Sequence, residues 1–191
     1  MENLEIKAGI DARPTLETER LILRPFFSSD ATAVQKLAND PKVSATTASL
    51  PYPYPESLAY EWISKQIGYF NEGSAVQFAI MIKNSGQLIG CISLGIFKSH
   101  EKAELGYWLG SNFWNQGYCS EAAMAVIRYG FEVLKVNKIT SRHITSNPAS
   151  GKVMIKAGLK LEGLLKKEFK KADQFYDLAV YGLLREEFVR S

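Results

Sequence analysis

The sequence predicts a single α/β (α+β) domain, built on a mixed, mostly antiparallel sheet of about six to seven strands flanked by helices. Three observations support this class. The chain has 191 residues, which is enough for one well-buried core. Several short stretches alternate apolar and polar residues, with the period of a half-buried strand. Between two such stretches near the middle of the chain, apolar residues recur at helical spacing instead.

The first predicted elements are a strand and a helix. In TERLILRPF, which begins at Thr18, apolar and charged residues alternate, as is typical of a half-buried strand. Ser28, Ser29 and Asp30 then offer N-caps for a helix that runs to about Ala38. The dipeptide Asp40-Pro41 is expected to end that helix, because the residue before a proline disfavours helical geometry.

A proline-rich loop, a longer helix and three strands come next. The three prolines of LPYPYPES, residues 50–57, exclude regular structure. The helix that follows ends near Gly73 and presents one apolar face, formed by Leu58, Trp62, Ile63, Ile67 and Phe70. From Val76 the period becomes that of strands, and Asn84-Ser85-Gly86 joins VQFAIMIK to QLIGCISLGIF as a hairpin turn. KAELGYWLG predicts the third strand.

The rest of the chain alternates helices and strands. A helix is expected from Glu121 to about Lys135, and NKITSRHITS predicts the strand after it. A short helix begins at Pro148 and is followed by Gly158, which suits the left-handed residue after a helix. Two further strands cover about residues 161–170 and 175–184.

Composition and charge exclude several classes of protein. No repeat or linker divides the chain, so we expect one domain over residues 18–191 after a loosely structured segment over residues 1–17. With 23 basic and 20 acidic residues, the net charge of +3 is too small to favour nucleic-acid binding. No apolar stretch reaches the ~18 residues of a membrane helix and no signal sequence is visible, so we expect a cytoplasmic protein without membrane contact.

Two cysteines and two histidines predict neither a disulfide framework nor a metal site. A basic cluster near the C-terminus is interpreted as solvated protection of a hairpin edge: Lys166, Lys167, Lys170 and Lys171.

The stretch NFWNQGYCSEAAM, from Asn112 to Met124, joins a predicted strand to a predicted helix. A helix N-terminus presents unpaired N–H groups and the positive end of a dipole, which suit an anion such as a pyrophosphate. Gly117 allows close approach to the backbone, and Cys119 and Ser120 are small. Taken alone, the stretch also fits a plain strand-to-helix turn with a serine cap.

Three segments together resemble the GNAT superfamily of N-acetyltransferases: AELGYWLGSNFWNQGYCSEA, ITSRHITSNPASGKVMIKAGLKLEG and YDLAVYGLLREE. More narrowly, they resemble the branch that includes the RimJ/RimL-type ribosomal-protein acetyltransferases, and the resemblance covers residues 18–187. It implies acetyl-coenzyme A as co-substrate, bound in the splay between two central parallel strands. It also implies that a primary amine attacks the thioester directly in a ternary complex.

The family's phosphate-binding loop, Arg/Gln-x-x-Gly-x-Gly/Ala, corresponds to residues 114–119, and the chain departs from it at Trp114 and Cys119. Neither departure removes a backbone N–H donor of the loop. The resemblance implies a set of cofactor-binding residues, namely Trp108, Leu109, Asn115, Gln116, Gly117, Tyr118, Cys119, Ser120, Asn147 and Lys152. A backbone N–H near Trp108 would act as an oxyanion donor, commonly worth ~3 kcal/mol. Asn147 also fits a helix N-cap, and Lys152 also fits a solvated lysine.

Acetyl transfer needs a neutral amine, a polarised carbonyl and a proton for the leaving thiolate. Ser150 is the candidate for stabilising the thiolate, although it also fits the first turn of a short helix. Glu104 is the candidate base, although it also fits an exposed strand residue paired with a lysine. Tyr52 and Tyr54 are candidates for a mobile wall over the acceptor. A nucleophilic Cys119 is rejected because no adjacent base with an orienting partner is visible.

The sequence therefore predicts an acetyl-CoA-dependent N-acetyltransferase, with a protein N-terminus as the favoured acceptor. The alternatives are a small-molecule amine such as an amino acid, polyamine or drug, and a non-catalytic acyl-CoA-binding sensor. Since the acceptor regions show no acidic cluster, a strongly cationic acceptor is disfavoured. We expect no metal, no membrane partner and no direct nucleic-acid binding. The oligomeric state is left open, with a homodimer as one outcome.

Overall fold

The computed structural model describes residues 12–188 together with the backbone of residues 6–8. Within these residues the strands are β1 Ile6–Ala8, β2 Pro14–Glu17, β3 Leu21–Arg24, β4 Ala75–Ile82, β5 Leu88–Phe97, β6 Lys102–Leu109, β7 Lys138–Ile144, β8 Lys160–Lys171 and β9 Gln174–Leu184. They form one sheet in the order β1-β2-β3-β4-β5-β6-β7-β9-β8. Neighbouring strands are antiparallel, except for the parallel pair β6–β7. The predicted mixed, mostly antiparallel sheet is confirmed.

Helices cover both faces of the sheet. Their bounds are α1 Ala31–Ala38, α2 Pro41–Thr46, α3 Glu56–Glu72, α4 Tyr118–Glu132 and α5 Pro148–Lys156. One core lies between α1, α3 and the sheet face that presents Ala79 and Cys91. The other core lies on the opposite face, where Phe78 and Ile92 pack with α4. Adjacent residues of a strand thus serve different cores, as strand geometry requires. None of the described helices is long and apolar enough to cross a membrane.

The N-terminal segment differs from the expected loose structure. Residues 1–5 and 9–11 lie outside the described residues, but β1 and β2 extend the sheet beyond the expected six to seven strands. Leu16 on β2 is fully buried and pairs with Leu23 on β3. A strand this short has too few residues to show a period, so only the burial of Leu16 against its neighbour identifies it.

A second difference follows Asp40-Pro41, where the chain starts α2 rather than leaving helical structure. The Asp40 carboxylate accepts a hydrogen bond from the Lys42 N–H at 2.8 Å, and Pro41 occupies the first turn. The dipeptide that ends one helix is therefore also a good start for another. The predicted helices and strands from Glu56 onward are confirmed, with α4 beginning at Tyr118 rather than at Glu121.

The parallel strands β6 and β7 part in the middle of the sheet. Their pairing runs from Lys102–Lys138 to Glu104–Thr140. One further link follows, in which the Ser141 hydroxyl donates to the Leu105 carbonyl at 2.8 Å. Beyond this point β6 continues along β5, while β7 continues along β9. The edge of β6 over residues 106–109 consequently faces a cleft, and the predicted splay between the two parallel strands is confirmed.

Candidate active site

Two cavities meet at the splay between β6 and β7. The larger cavity has a volume of about 570 Å³ and is lined by residues of α2, α3, α5, β4–β9 and the segment between α2 and α3. The smaller cavity, of about 460 Å³, lies between the end of β6, the start of α4 and the start of α5. The residues that line both cavities are Thr46, Thr47, Tyr107, Trp108 and Ser150. A molecule bound in one cavity can therefore meet a molecule bound in the other at Tyr107 and Ser150.

The loop between β6 and α4 lines the smaller cavity. The indole N–H of Trp114 donates to the Leu109 carbonyl at 2.9 Å and ties the loop to the end of β6. Asn115 and Gly117 take left-handed backbone angles, with φ of 61° and 82°. Gly117 is the N-cap of α4 and has no side chain, so the first N–H groups of the helix remain available to an anionic ligand.

An ion pair from the β2–β3 turn supports this loop from outside. Arg20 donates to the Gln116 carbonyl at 3.0 Å and to the Glu121 carboxylate at 2.6 Å, and its guanidinium lies 4.7 Å from the centre of the Tyr118 ring. The Glu121 carboxylate also accepts from the Thr18 hydroxyl at 2.6 Å. Burial raises the pKa of Glu121, but the hydrogen bonds from Thr18 and Arg20 outweigh burial and lower it. Arg20 could not be identified from the sequence, because no local pattern relates it to a loop about a hundred residues later.

Most of the predicted cofactor-binding residues do line the smaller cavity: Trp108, Leu109, Asn115, Gly117, Tyr118, Cys119, Ser120, Asn147 and Lys152. Gln116 is the exception, because its side-chain amide donates to the Asn112 carbonyl at 2.9 Å and lies outside the cavity lining. The Gln116 amide is thus engaged within the loop. Lys156, which the sequence analysis missed, joins Lys152 at the cavity from the next turn of α5.

Asn147 holds the start of α5 and the end of α2 together. Its side-chain oxygen accepts from the Ser150 N–H at 3.4 Å, as an N-cap does, and its amide donates to the Thr46 carbonyl at 3.3 Å. Both ends of the Asn147 amide are therefore occupied by protein groups.

Tyr107 and Ser150 meet where the two cavities join. The Tyr107 hydroxyl lies 2.9 Å from both the carbonyl and the hydroxyl oxygen of Ser150. Burial raises the pKa of Tyr107, while its hydrogen bond with Ser150 opposes that rise in part. The phenol therefore keeps its proton at neutral pH and donates to Ser150. Tyr107 was not predicted as a site residue, because its place in the sequence of β6 resembles that of an ordinary strand residue.

Two carboxylates line the larger cavity in the described part of the chain. Glu104 pairs with the Arg142 guanidinium at 2.9 Å, so its partner is an arginine rather than the lysine considered from the sequence. Glu168 reaches the cavity from a bulge in β8, where residues 166–168 lie opposite Asp177. Lys167 takes a left-handed φ of 52° in this bulge, and its N–H donates to the Asp177 carboxylate at 2.7 Å. Bulges near binding sites commonly redirect a side chain in this way.

The two loop tyrosines have different positions. Tyr54 lines the larger cavity, but it is 3% exposed and its backbone N–H donates to Asn39 at 2.9 Å. Burial, with a smaller contribution from Cys91, raises the pKa of Tyr54. It belongs to a packed wall rather than to the mobile wall expected from the sequence. Tyr52 is 55% exposed and lies outside the lining of both cavities. The proline-rich composition of residues 50–57 does not indicate which of the two tyrosine rings is buried.

Known proteins have a similar fold and a related sequence. The profile of the acetyltransferase (GNAT) domain family matches residues 20–160. The chain is 32% identical over 175 residues to "Uncharacterized N-acetyltransferase p20" of Bacillus licheniformis, which covers 91% of this chain and 98% of the relative. It is also 32% identical over 181 residues to the "Ribosomal-protein-serine acetyltransferase" of Escherichia coli strain K12, covering 94% of this chain and 95% of the relative. A crystal structure of a GNAT-family acetyltransferase from Bacillus anthracis superposes with a TM-score of 0.81 and 26% identity, covering 90% of this chain and 99% of that chain.

The thiol of Cys119 lies in the first turn of α4, where a helix dipole favours a thiolate. The side chain is half-buried against the core, however, and this desolvation raises the pKa of Cys119 to about 12. Burial therefore disfavours the thiolate, and the thiol is a poor nucleophile at neutral pH.

We expect folded protein at pH 8 to react with iodoacetamide at Cys119 about tenfold or more slowly than free cysteine, because little thiolate is present. Peptide mapping by mass spectrometry after timed exposure measures the rate. Protein unfolded in urea provides the control, in which Cys91 and Cys119 should react alike. A folded-state rate equal to that of free cysteine would contradict the assigned burial.

Proposed function

The chain belongs to the GNAT acetyltransferase family and is an acetyl-CoA-dependent N-acetyltransferase, and from this premise we propose that its acceptor is the amino group of a protein or peptide N-terminus. The observation that carries the proposal is the charge of the larger cavity. Among the described residues that line it, Arg142 neutralises Glu104, which leaves Glu168 as the unpaired carboxylate. One free negative charge suits a single amine followed by an uncharged chain better than it suits a polyamine. The similarity to the ribosomal-protein-serine acetyltransferase supports the same acceptor class.

The smaller cavity is proposed to hold acetyl-CoA. The N–H groups at the start of α4 suit its pyrophosphate, and Lys152 and Lys156 at the rim suit a further phosphate. The edge of β6 beyond its pairing with β7 can pair with the amides of the pantetheine arm around Tyr107, as a neighbouring strand would. This placement brings the thioester to Tyr107 and Ser150, where the larger cavity begins.

The proposed chemistry is a direct displacement. The neutral amine forms a C–N bond with the thioester carbonyl, and the resulting oxyanion accepts a hydrogen bond from a backbone N–H of β6, which is commonly worth ~3 kcal/mol. The C–S bond then breaks. The Ser150 hydroxyl donates a hydrogen bond to the departing thiolate, and its oxygen lies 2.9 Å from the Tyr107 hydroxyl. The thiolate takes up a proton from solvent. The proton lost by the amine passes to a carboxylate.

Glu168 and Glu104 are the proposed candidates for that carboxylate. Glu104 lies on the thioester strand, but its oxygen accepts from Arg142 at 2.9 Å. Glu168 is exposed, has no partner among the described residues and faces the same cavity. A free carboxylate accepts a proton without first losing an ion pair, so Glu168 is the preferred base and Glu104 the rival.

The acceptor class is tested by thiol release from acetyl-CoA with a panel of amines. A peptide with an N-terminal serine should release coenzyme A thiol, whereas the same peptide with a blocked N-terminus should not. Spermidine and free amino acids complete the panel. Faster release with spermidine than with any peptide would overturn the proposed acceptor, and binding of acetyl-CoA without release for any amine would support the sensor alternative.

Ser150→Ala should lower kcat by roughly 10- to 1000-fold and leave the acetyl-CoA Kd nearly unchanged, because the hydroxyl acts mainly on the departing thiolate. Steady-state kinetics and calorimetry measure the two constants. Ser85→Ala, in the β4–β5 turn, is the matched control. A weaker Kd with an unchanged kcat would reduce Ser150 to a structural or cofactor-contact role.

Glu168→Gln should lower kcat by about 100-fold or more, since removal of a general base typically costs 10²–10⁴ in rate. Glu104→Gln should cost less than tenfold under the same assignment. Both variants keep the shape of the side chain, so they report the loss of the proton acceptor. If the two effects are reversed, Glu104 is the base, and two small effects would contradict carboxylate catalysis.

A further inference from the structure

Lys171 connects two separate walls of the larger cavity. It stands at the end of β8, and its ammonium reaches residues 44–50, which we call the wall segment. The Nζ atom donates to the carbonyls of Ser44 at 2.5 Å, Thr47 at 2.8 Å and Leu50 at 3.5 Å. The three N–H groups of the ammonium thus meet three backbone oxygens of one short segment.

The wall segment belongs to both cavities. Thr46 and Thr47 line the larger and the smaller cavity, and residues 48–50 line the larger one. Its carbonyls lie at and beyond the C-terminal end of α2, where the negative end of the helix dipole attracts a cation. The Ser44 carbonyl also accepts from the Thr47 N–H at 3.2 Å. On its other side, the segment is held by the hydrogen bond from Asn147 to the Thr46 carbonyl.

The strand that carries Lys171 also supplies the opposite wall. Glu168 and Phe169 line the larger cavity from β8, two or three residues before Lys171. The ammonium therefore links the wall segment to the strand that carries the proposed base. In the described residues no carboxylate pairs with Lys171, and burial lowers its pKa, consistent with an ammonium solvated by carbonyls instead of water.

The neighbouring lysines do not share this role. Lys170 is exposed, and its ammonium lies 5.7 Å from the centre of the Phe175 ring. Lys166 and Lys167 are also exposed. These three fit the solvated hairpin edge inferred from the sequence, whereas Lys171 is half-buried and fully engaged with one segment.

We propose that Lys171 is a positioning residue that fixes the wall segment against the β8–β9 hairpin and thereby determines how tightly the acceptor binds. The role in acceptor binding rests on the proposed assignment of the larger cavity to the acceptor. The link between Lys171 and the wall segment does not depend on that assignment. Removing the ammonium frees the wall segment and widens the acceptor cavity, while the phosphate-binding start of α4 stays in place.

The link is tested by hydrogen exchange on the full chain, with Lys171→Met, Lys171→Arg and the matched control Lys170→Met. The amides of residues 45–47, which lie in α2 or donate to it, should exchange about tenfold or more faster in Lys171→Met than in the parent protein, with other segments unchanged. Lys170→Met should match the parent. Lys171→Arg should fall between them, because a guanidinium keeps the charge and donors but not the same reach.

Two outcomes of the exchange experiment would overturn the proposal. In one, the wall segment exchanges alike in Lys171→Met and in Lys170→Met. In the other, exchange rises throughout the protein and Lys171→Arg is as perturbed as Lys171→Met, which is the pattern of a merely structural residue. The arginine variant keeps the test decisive if Lys171→Met does not fold.

The consequence for function is tested by measuring the acceptor KM and the acetyl-CoA Kd separately. With the N-terminal serine peptide as acceptor, Lys171→Met should raise the acceptor KM about tenfold and change the acetyl-CoA Kd less than twofold. An unchanged acceptor KM, or an equal loss of both affinities, would contradict the positioning role. If the parent protein turns over no peptide, the acceptor proposal fails, while the exchange experiment still decides whether Lys171 holds the wall segment.

Discussion

The parting of β6 and β7 beyond Glu104–Thr140 is the constraint on which the rest of the site depends. A parallel pair that stayed hydrogen-bonded would use the backbone of residues 106–109 for pairing and would leave no cleft. Because β6 stays with β5 and β7 stays with β9, each strand keeps one full partner while the edge between them opens. Since α4 follows β6 after a short loop, its N-terminus lies at the same opening. One interruption of the sheet therefore creates the strand edge, the helix end and the junction of the two cavities.

Polar contacts between distant parts of the chain hold the walls of this opening. Arg20 ties the β2–β3 turn to the start of α4, and Asn147 ties the start of α5 to the end of α2. Lys171 ties the β8–β9 hairpin to residues 44–50. The Arg20 side chain is 43% exposed in its ion pair with Glu121, so solvent weakens the attraction between the two charges. The pair contributes to the site mainly as part of a network that also includes Thr18 and Gln116. The apolar cores on either face supply most of the stability, while these contacts decide the shape of the site.

Sequence patterns predicted long elements well and short ones poorly. Over the seventeen residues of α3, Glu56–Glu72, the apolar face recurs often enough to be unambiguous, and Gly73 ends the helix with a left-handed φ of 64°. The four residues of β2 and the six of α2 contain too little repetition to show any period. The same limit applies to single side chains. Gln116 and Tyr52 have suitable chemistry and suitable neighbours in sequence, yet the amide bonds to Asn112 and the phenol faces solvent.

By itself, the sequence determined the order of the longer elements, because period and turn residues are local properties. The resemblance of three segments indicated the family and the loop that meets the start of α4. The tertiary structure alone decided which polar groups meet. Lys166, Lys167, Lys170 and Lys171 are equivalent as a run of lysines, and only the bulge and direction of β8 bring the last of them to the carbonyls of Ser44 and Thr47. Contacts between residues more than a hundred positions apart in the sequence depend on strand register and helix packing. A local sequence pattern carries no information about either.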